Sequence, residues 1–338
     1  MERTKIARQP GYVNPELAEI LKSSGPVRGL DATTDIVGLR KQLRERKLAL
    51  TSAHKKGTTN ITENDMRIKT RDGSEILIRI YQRAQGDQGP VMVMLHGGGW
   101  ILGDLDNEAL LCRRWCEECG GLSINVEYRL APEYKFPTAV FDCYDAVLWT
   151  AKHVHNYGGD LAKGFVIAGV SAGANMAATL SHLYRDEGFL PRLTGLYLSI
   201  PSLLAPEAVP PEYKGEYLSR QENKDAPVLN SAAIKWFRDC YQDDPRSPLM
   251  SPFVFETGHA GLPPTYFQVA GMDPLRDEAL IYERVLREEC NVPTRLDLYP
   301  GLPHGFWSWW PTAGFSKKQA QDSMAGLKWL LIADSQSA

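Results

Sequence analysis

Gly169-Val170-Ser171-Ala172-Gly173 sets a serine between a strand pattern and a helix pattern. Phe165-Val166-Ile167-Ala168 reads as a short buried strand, and the Ala-, Met- and Leu-rich stretch from Ala172 to Tyr184 reads as a helix. A turn that tight needs very small residues beside the serine. It holds the hydroxyl at the sheet edge over a helix N-terminus, the setting of a nucleophile. A second group follows the continuous apolar run Val91-Met92-Val93-Met94-Leu95, namely His96-Gly97-Gly98-Gly99-Trp100. Glycines there let backbone N–H groups point inward with no Cβ in the way. Fixed donors of that kind suit a developing oxyanion. The competing reading, a flexible glycine turn, is weakened by the position at a strand's carboxyl end, where open α/β sheets bind ligands. His96 reads as a structural holder of this loop rather than as a base.

A serine nucleophile needs a base and an acid, in the chain order Ser, Asp/Glu, His for this kind of turn. Of seven histidines, only His259 and His304 lie well past Ser171 and outside its helix. His304 sits in Tyr299-Pro300-Gly301-Leu302-Pro303-His304-Gly305-Phe306, after a strand over 295–299. His259, in Glu256-Thr257-Gly258-His259-Ala260-Gly261, precedes a strand and reads as a surface turn residue. Asp273 follows a strand over 265–270 and precedes a helix over 277–288, so it is the preferred acid. Its rival Asp277 reads as a first-turn residue stabilised by the helix dipole. Trp100, after the glycines, and Phe306 and Trp307, after His304, are candidate walls of the substrate pocket, although large aromatics are often simply packed.

The elements that must position these residues alternate. An opening hairpin covers 65–70 and 75–82 around the Asp72-Gly73 turn. Strands follow near Val91, over 122–126, near Phe165, over 193–200, near Thr265 and near Arg295, with helical patterns between them and a closing helix over 316–332. Alternation of this kind implies a mainly parallel sheet with right-handed crossovers. Two segments fall outside it. Residues 1–60 hold two helix patterns, the first with Asn14 as cap, Pro15 at its first position and a stop at Gly25-Pro26. Residues 201–250 are rich in Pro, Tyr and charge, with a helix over 231–241.

Composition narrows the classes. The chain has 338 residues, 43% of them apolar, and a formal net charge of −3, with no basic stripe for nucleic acid. The locally basic run Leu39 to Lys47 reads as a solvated helix face, since Ile36, Leu39, Leu43 and Leu50 form a modest apolar stripe. Cys112, Cys116, Cys119, Cys143, Cys240 and Cys290 do not match a zinc-site spacing. With no signal-like apolar core in Met1-Glu2-Arg3-Thr4-Lys5, they are expected as free thiols in the cytoplasm. The uncharged run 164–184 contains the serine turn and several polar residues, so no membrane span is expected. No phosphate-binding loop, dinucleotide fingerprint or metal-ligand helix is found, so no metal or organic cofactor is expected.

Together, His96-Gly97-Gly98-Gly99-Trp100, Tyr128-Arg129-Leu130-Ala131-Pro132-Glu133 with Phe136-Pro137, the serine turn, Asp273-Pro274-Leu275-Arg276-Asp277-Glu278 and His304-Gly305-Phe306 resemble the hormone-sensitive-lipase-like, bacterial family IV carboxylesterases. The motifs stand in that family's order and cover roughly residues 60–330. The chain departs from the family pattern at Val170 and Ala174, where Asp and Gly are usual, at Asn107-Glu108-Ala109, where a His-Asp pair is frequent, and at Glu127, where Asp is usual. The resemblance implies an α/β-hydrolase fold: a mostly parallel eight-stranded sheet, helices on both faces and a helical cap. It implies Ser171 as nucleophile, His304 as base, Asp273 as orienting acid, and Gly98, Gly99 and Ala172 as the oxyanion hole. The cap would comprise residues 1–60 and 201–250, and the hydrolase core residues 61–200 and 251–338. The implied activity is hydrolysis of small short- to medium-chain esters, with acyl transfer, lactone chemistry or natural-product tailoring as alternatives on the same triad. Related receptors lack the triad histidine, which is present here. Dimers through the last strand and helix are common in that family.

Overall fold

The computed structural model describes residues 9, 11–25, 27, 29–54, 60–86 and 88–333, with side chains omitted over 46–54. The readings made on Met1–Lys5 and Pro26, and on the side chains of Arg46, Lys47 and Leu50, therefore lie outside what is described. The strands are β1 (Ile61–Lys69), β2 (Glu75–Arg83), β3 (Val91–Leu95), β4 (Leu122–Glu127), β5 (Phe165–Val170), β6 (Gly195–Ser199), β7 (Thr265–Met272) and β8 (Thr294–Pro303). They form one sheet in the order β1-β2-β4-β3-β5-β6-β7-β8. β2 runs antiparallel to both of its neighbours, and every other pairing is parallel.

The central strands are apolar throughout because both faces are covered. Along β3, Val91, Val93 and Leu95 enter one core cluster while Met92 and Met94 enter another on the opposite face. The helices Thr138–His153 and Ala172–Asp186 pack on the first face, Ala109–Cys119 and Gly314–Ala333 on the second. Each fully buried large apolar side chain here stabilises the fold by about 1.5–3 kcal/mol. The uncharged run 164–184 divides into β5 and most of the following helix, which explains its length without a membrane. Among the described residues, no helix is long and apolar enough to cross one.

The opening hairpin turns at Gly73 (φ 84°), with Thr70 and Ser74 closing it and the Asp72 carboxylate accepting from the Thr70 hydroxyl at 2.7 Å. The helix Pro15–Ser24 is capped by Asn14 Oδ1, which accepts from the Glu16 and Leu17 N–H groups, and it ends at Gly25 (φ 76°). Glu16 in turn caps the last helix, accepting from Gly314 N at 2.7 Å. On the helix Ile36–His54, Ile36, Leu39 and Leu43 are half-buried against the main core. Arg40 is not part of a solvated face. Its Nε donates to Ile101 O (2.8 Å), its Nη2 to Ala131 O (2.6 Å), and its guanidinium pairs with Glu133.

The segment 201–250 leaves the sheet after β6 and is stitched down at both ends. Asn175, on the helix after β5, donates to Ser202 O (2.8 Å) and Met250 O (2.7 Å). Fully buried Glu278 accepts from the N–H groups of Leu203 (2.9 Å) and Leu204 (2.7 Å).

Candidate active site

Ser171 sits between β5 and the helix Ala172–Asp186 with φ 54° and ψ −116°, a sparsely populated conformation for a residue with a Cβ. Its amide is tied to Ser199 O at 2.8 Å. A Cβ on Gly173 would collide with the Leu95 and His96 carbonyls, and one on Gly169 with the Gly173 backbone. The small residues around the serine are therefore a steric requirement of crossing β3 so closely.

His304 follows β8 and precedes Gly305, whose φ of 61° turns the chain into the helix Phe306–Trp309. Its Nε2 lies 2.8 Å from Ser171 Oγ and its Nδ1 lies 2.7 Å from Asp273 Oδ2. The Asp273 carboxylate can only accept, so Nδ1 carries the proton and Nε2 is left to accept from the serine hydroxyl. Asp273 is 1% exposed, and its other oxygen accepts from Leu275 N at 2.9 Å. Three loops separated by up to 133 residues thus converge on one relay.

Asp277 stands elsewhere. It accepts from Leu218 N (2.9 Å) and Ser219 N (2.7 Å) and pairs with Arg276, fixing the middle of the 201–250 segment. His259 corrects the surface-turn expectation. It is only 8% exposed, faces His182 Nε2 at 3.4 Å and packs against Tyr282. Burial, with Arg185 nearby, pulls the His259 imidazole down to about 4, and burial and His259 hold His182 well below its ordinary value.

The glycine loop passes beside Ser171; a Cβ on Gly97 would stand 3.5 Å from the Ser171 Cβ. Gly98 (φ 130°) and Gly99 (φ 60°) take conformations that suit glycine. The N–H groups of Gly98, Gly99 and Ala172 donate to no acceptor among the described residues. His96 is fully buried, stacks on Tyr128 with centroids 4.1 Å apart, and places Nδ1 2.9 Å from Gly97 O. Tyr128 donates to His96 O at 2.9 Å, so the Tyr128-to-Glu133 motif supports the loop from behind.

A narrow cavity of about 40 Å³ opens beside Ser171, Ala172 and Gly99. Trp100 lines it, stacked flat on Tyr241 at 4.8 Å. Phe306 and Trp307 do not. Phe306 is fully buried with Tyr299 and Phe315, and half-buried Trp307 joins that cluster against Leu17, Ile20 and Leu21 of the first helix. Packing, not substrate, claims these rings. The remaining walls come mainly from the 201–250 segment, including Arg220, Leu229, Ile234, Phe237 and Arg238. Sequence reasoning missed all five, since none belongs to a motif; only the segment's position as an insertion pointed toward them.

Residues 92–308 match a family model described as an alpha/beta hydrolase fold. The chain is 34% identical over 275 residues to versiconal hemiacetal acetate esterase of Dothistroma septosporum, covering 80% of this chain and 81% of that one. It is 33% identical over 325 residues to carboxylic ester hydrolase LipN of Mycobacterium tuberculosis, covering 94% and 82%. The crystal structure of vibralactone cyclase superposes with a TM-score of 0.89 at 31% identity, covering 95% of this chain and 96% of that one. Fold, sheet order and relatives agree, and the chain belongs to the alpha/beta hydrolase family, in its hormone-sensitive-lipase-like branch, as a carboxylic ester hydrolase.

Proposed function

We propose that the protein hydrolyses short- to medium-chain carboxylic esters through an acyl-enzyme on Ser171. The observation that carries this reading is the unbroken relay from Ser171 Oγ through His304 to Asp273, at 2.8 and 2.7 Å. His304 Nε2 takes the serine proton as the hydroxyl attacks the ester carbonyl. The N–H groups of Gly98, Gly99 and Ala172 receive the oxyanion, which their lack of internal acceptors supports. Asp273 fixes the imidazole tautomer and stabilises its cation. His304 then protonates the leaving alcohol, and the same groups activate water to release the acid.

Residues 1–60 and 201–250 act as the cap. Support comes from the cavity walls contributed by the second segment and from the grip of Arg40 on Ile101 and Ala131. The narrowness of the cavity favours short acyl arms, as does the acetate ester in the name of the Dothistroma relative. A homodimer through β8 is part of the proposal, since among the described residues β8 pairs with β7 alone and leaves a strand edge free. A cytoplasmic setting suits the six free cysteines.

The test is a 4-nitrophenyl ester series from acetate to laurate, with a fluorophosphonate probe mapped by mass spectrometry. Label on Ser171, maximal kcat/KM at or below about eight carbons, and loss of both in Ser171→Ala are the expected results. Ser171→Ala should lower kcat on the order of a millionfold if the relay acts as a unit. Label on another residue with activity intact in Ser171→Ala would end the assignment. A second reading, intramolecular acyl transfer that closes a ring, is favoured by the likeness to vibralactone cyclase. Product analysis with hydroxylated esters and added alcohols separates it from hydrolysis.

A further inference from the structure

The cavity beside Ser171 has mostly apolar walls, yet Arg220 and Arg238 line it and, among the described residues, no Asp or Glu does. Arg238 is held by two carboxylates, Asp243 at 3.1 Å and Glu207 at 2.9 Å, in the wider outer mouth. Arg220 is not. Its Nε donates to the Tyr217 hydroxyl at 3.3 Å and one Nη2 proton goes to Glu278 at 2.8 Å. A guanidinium carries five N–H donors, so three remain without an acceptor among the described residues.

The location of the counter-charge matters. Glu278 is fully buried behind Arg220, spends one oxygen on the Leu203 and Leu204 amides and the other on Arg220, and is absent from the cavity wall. Arg220 is thereby held by a buried counter-charge, with its side chain 18% exposed, and it lines both this cavity and the wider outer mouth. A fixed, partly desolvated guanidinium with spare donors fits the planar, bidentate geometry of a carboxylate. A cavity built only for alkyl chains would leave these donors unpaired whenever substrate excluded water, which is costly.

We propose that Arg220 forms an anion subsite, and that the ester arm entering this cavity ends in a carboxylate or an equivalent anionic oxygen group. This rests on Ser171 being the nucleophile of the same cavity. The carboxylate can lie on either side of the ester bond, and the two placements are distinguished by two probe series. One pairs 4-nitrophenyl hydrogen glutarate, adipate and pimelate with 4-nitrophenyl alkanoates of matched length. The other pairs acetates of ω-hydroxy acids with matched alkyl acetates, followed by acid release. The readout in each is the ratio of kcat/KM for the charged ester to that for the neutral one, which a general loss of folded enzyme leaves unchanged.

In the wild-type enzyme the ratio should approach or exceed one at some chain length in one series, where an apolar pocket would give roughly a hundredth or less. Arg220→Met should lower that ratio about 30–100-fold, the effect of losing a charge-assisted bidentate contact. Arg220→Lys, which keeps the cation, should retain more of it than Arg220→Met. A wild-type ratio below about a hundredth at every length in both series overturns the subsite, even if Arg220→Met fails to fold. So does a ratio that Arg220→Met leaves unchanged. Continued turnover by Ser171→Ala would instead overturn the nucleophile, independently of either ratio.

Discussion

Two aspartates four residues apart, Asp273 and Asp277, illustrate how residue roles separate in this site. Both are 1% exposed. Asp273 lies directly after β7, at the level of the sheet's carboxyl edge, and reaches His304. Asp277 is the second residue of the next helix, points toward the 201–250 segment and pins Leu218 and Ser219. Asp273→Asn should cost about ten-thousandfold in kcat by losing the tautomer of His304. Asp277→Asn should keep kcat within about tenfold but destabilise the fold by about 1.5–3 kcal/mol, because it removes one of the two carboxylates, Asp277 and Glu222, that pair with buried Arg276. Stopped assays beside urea melts separate the two outcomes. A kcat loss above a thousandfold in folded Asp277→Asn would reassign the acid. The glycines make a second pair. A Cβ on Gly98 would strike the Leu102 backbone and one on Gly99 the Phe237 ring. Gly98→Ala should therefore displace an oxyanion donor and lower kcat about a hundredfold or more, with KM changed far less. Unchanged kcat would place the donors elsewhere.

At the scale of elements, the N-terminal helix and the glycine loop are coupled through one side chain. Arg40 holds the carbonyls of Ile101 and Ala131, and Ala131 N in turn donates to Trp100 O at 3.0 Å. The loop that carries the oxyanion donors is thus braced from a helix 61 positions away in sequence. Arg40→Ala should lower kcat roughly tenfold while KM stays within about threefold, since small displacements of a catalytic loop act on the transition state. Arg40→Lys, which cannot make the forked contact, should resemble it. A change confined to KM or to acyl-chain preference would instead make the helix a wall of the pocket.

At the scale of the molecule, the buried pair His182 and His259 ties stability to pH. In the unfolded chain His259 returns to its ordinary 6.5, whereas burial in the fold holds it near 4. Between those values the unfolded chain binds the extra proton, so the stability is fully present above about 6.5 and is lost as pH falls toward 4. The loss from His259 alone should be about 2 kcal/mol between pH 7 and pH 5. His182, depressed by burial, His259 and Arg185, acts in the same direction. Urea melts of the wild type and His259→Phe at pH 7 and pH 5 provide the check. The variant should lose distinctly less stability on acidification; equal losses would show that other groups govern the acid limb.

How much of this was legible in the sequence follows from how locally each feature is encoded. β3, β5 and the serine turn are written in short contiguous stretches, because a strand buried on both faces must be apolar throughout and a strained turn must be small. The cap residue Asn14 and the stop at Gly25 are local in the same sense. Ser171, Asp273 and His304 could be singled out by their places at strand ends, though their convergence needed the sheet order. What only the tertiary structure decided lies in pairings between distant segments. Phe306 and Trp307 adjoin His304 in sequence, yet the first helix covers them, and packing rather than adjacency sets their surroundings. His259 stands in a loop with the signature of a surface turn, yet the helix of His182 buries it. Arg220 carries no motif. It reaches the cavity because Asn175, Asp277 and Glu278 stitch the 201–250 segment over the sheet's carboxyl edge, contacts spanning 27 to 75 residues that no local pattern encodes.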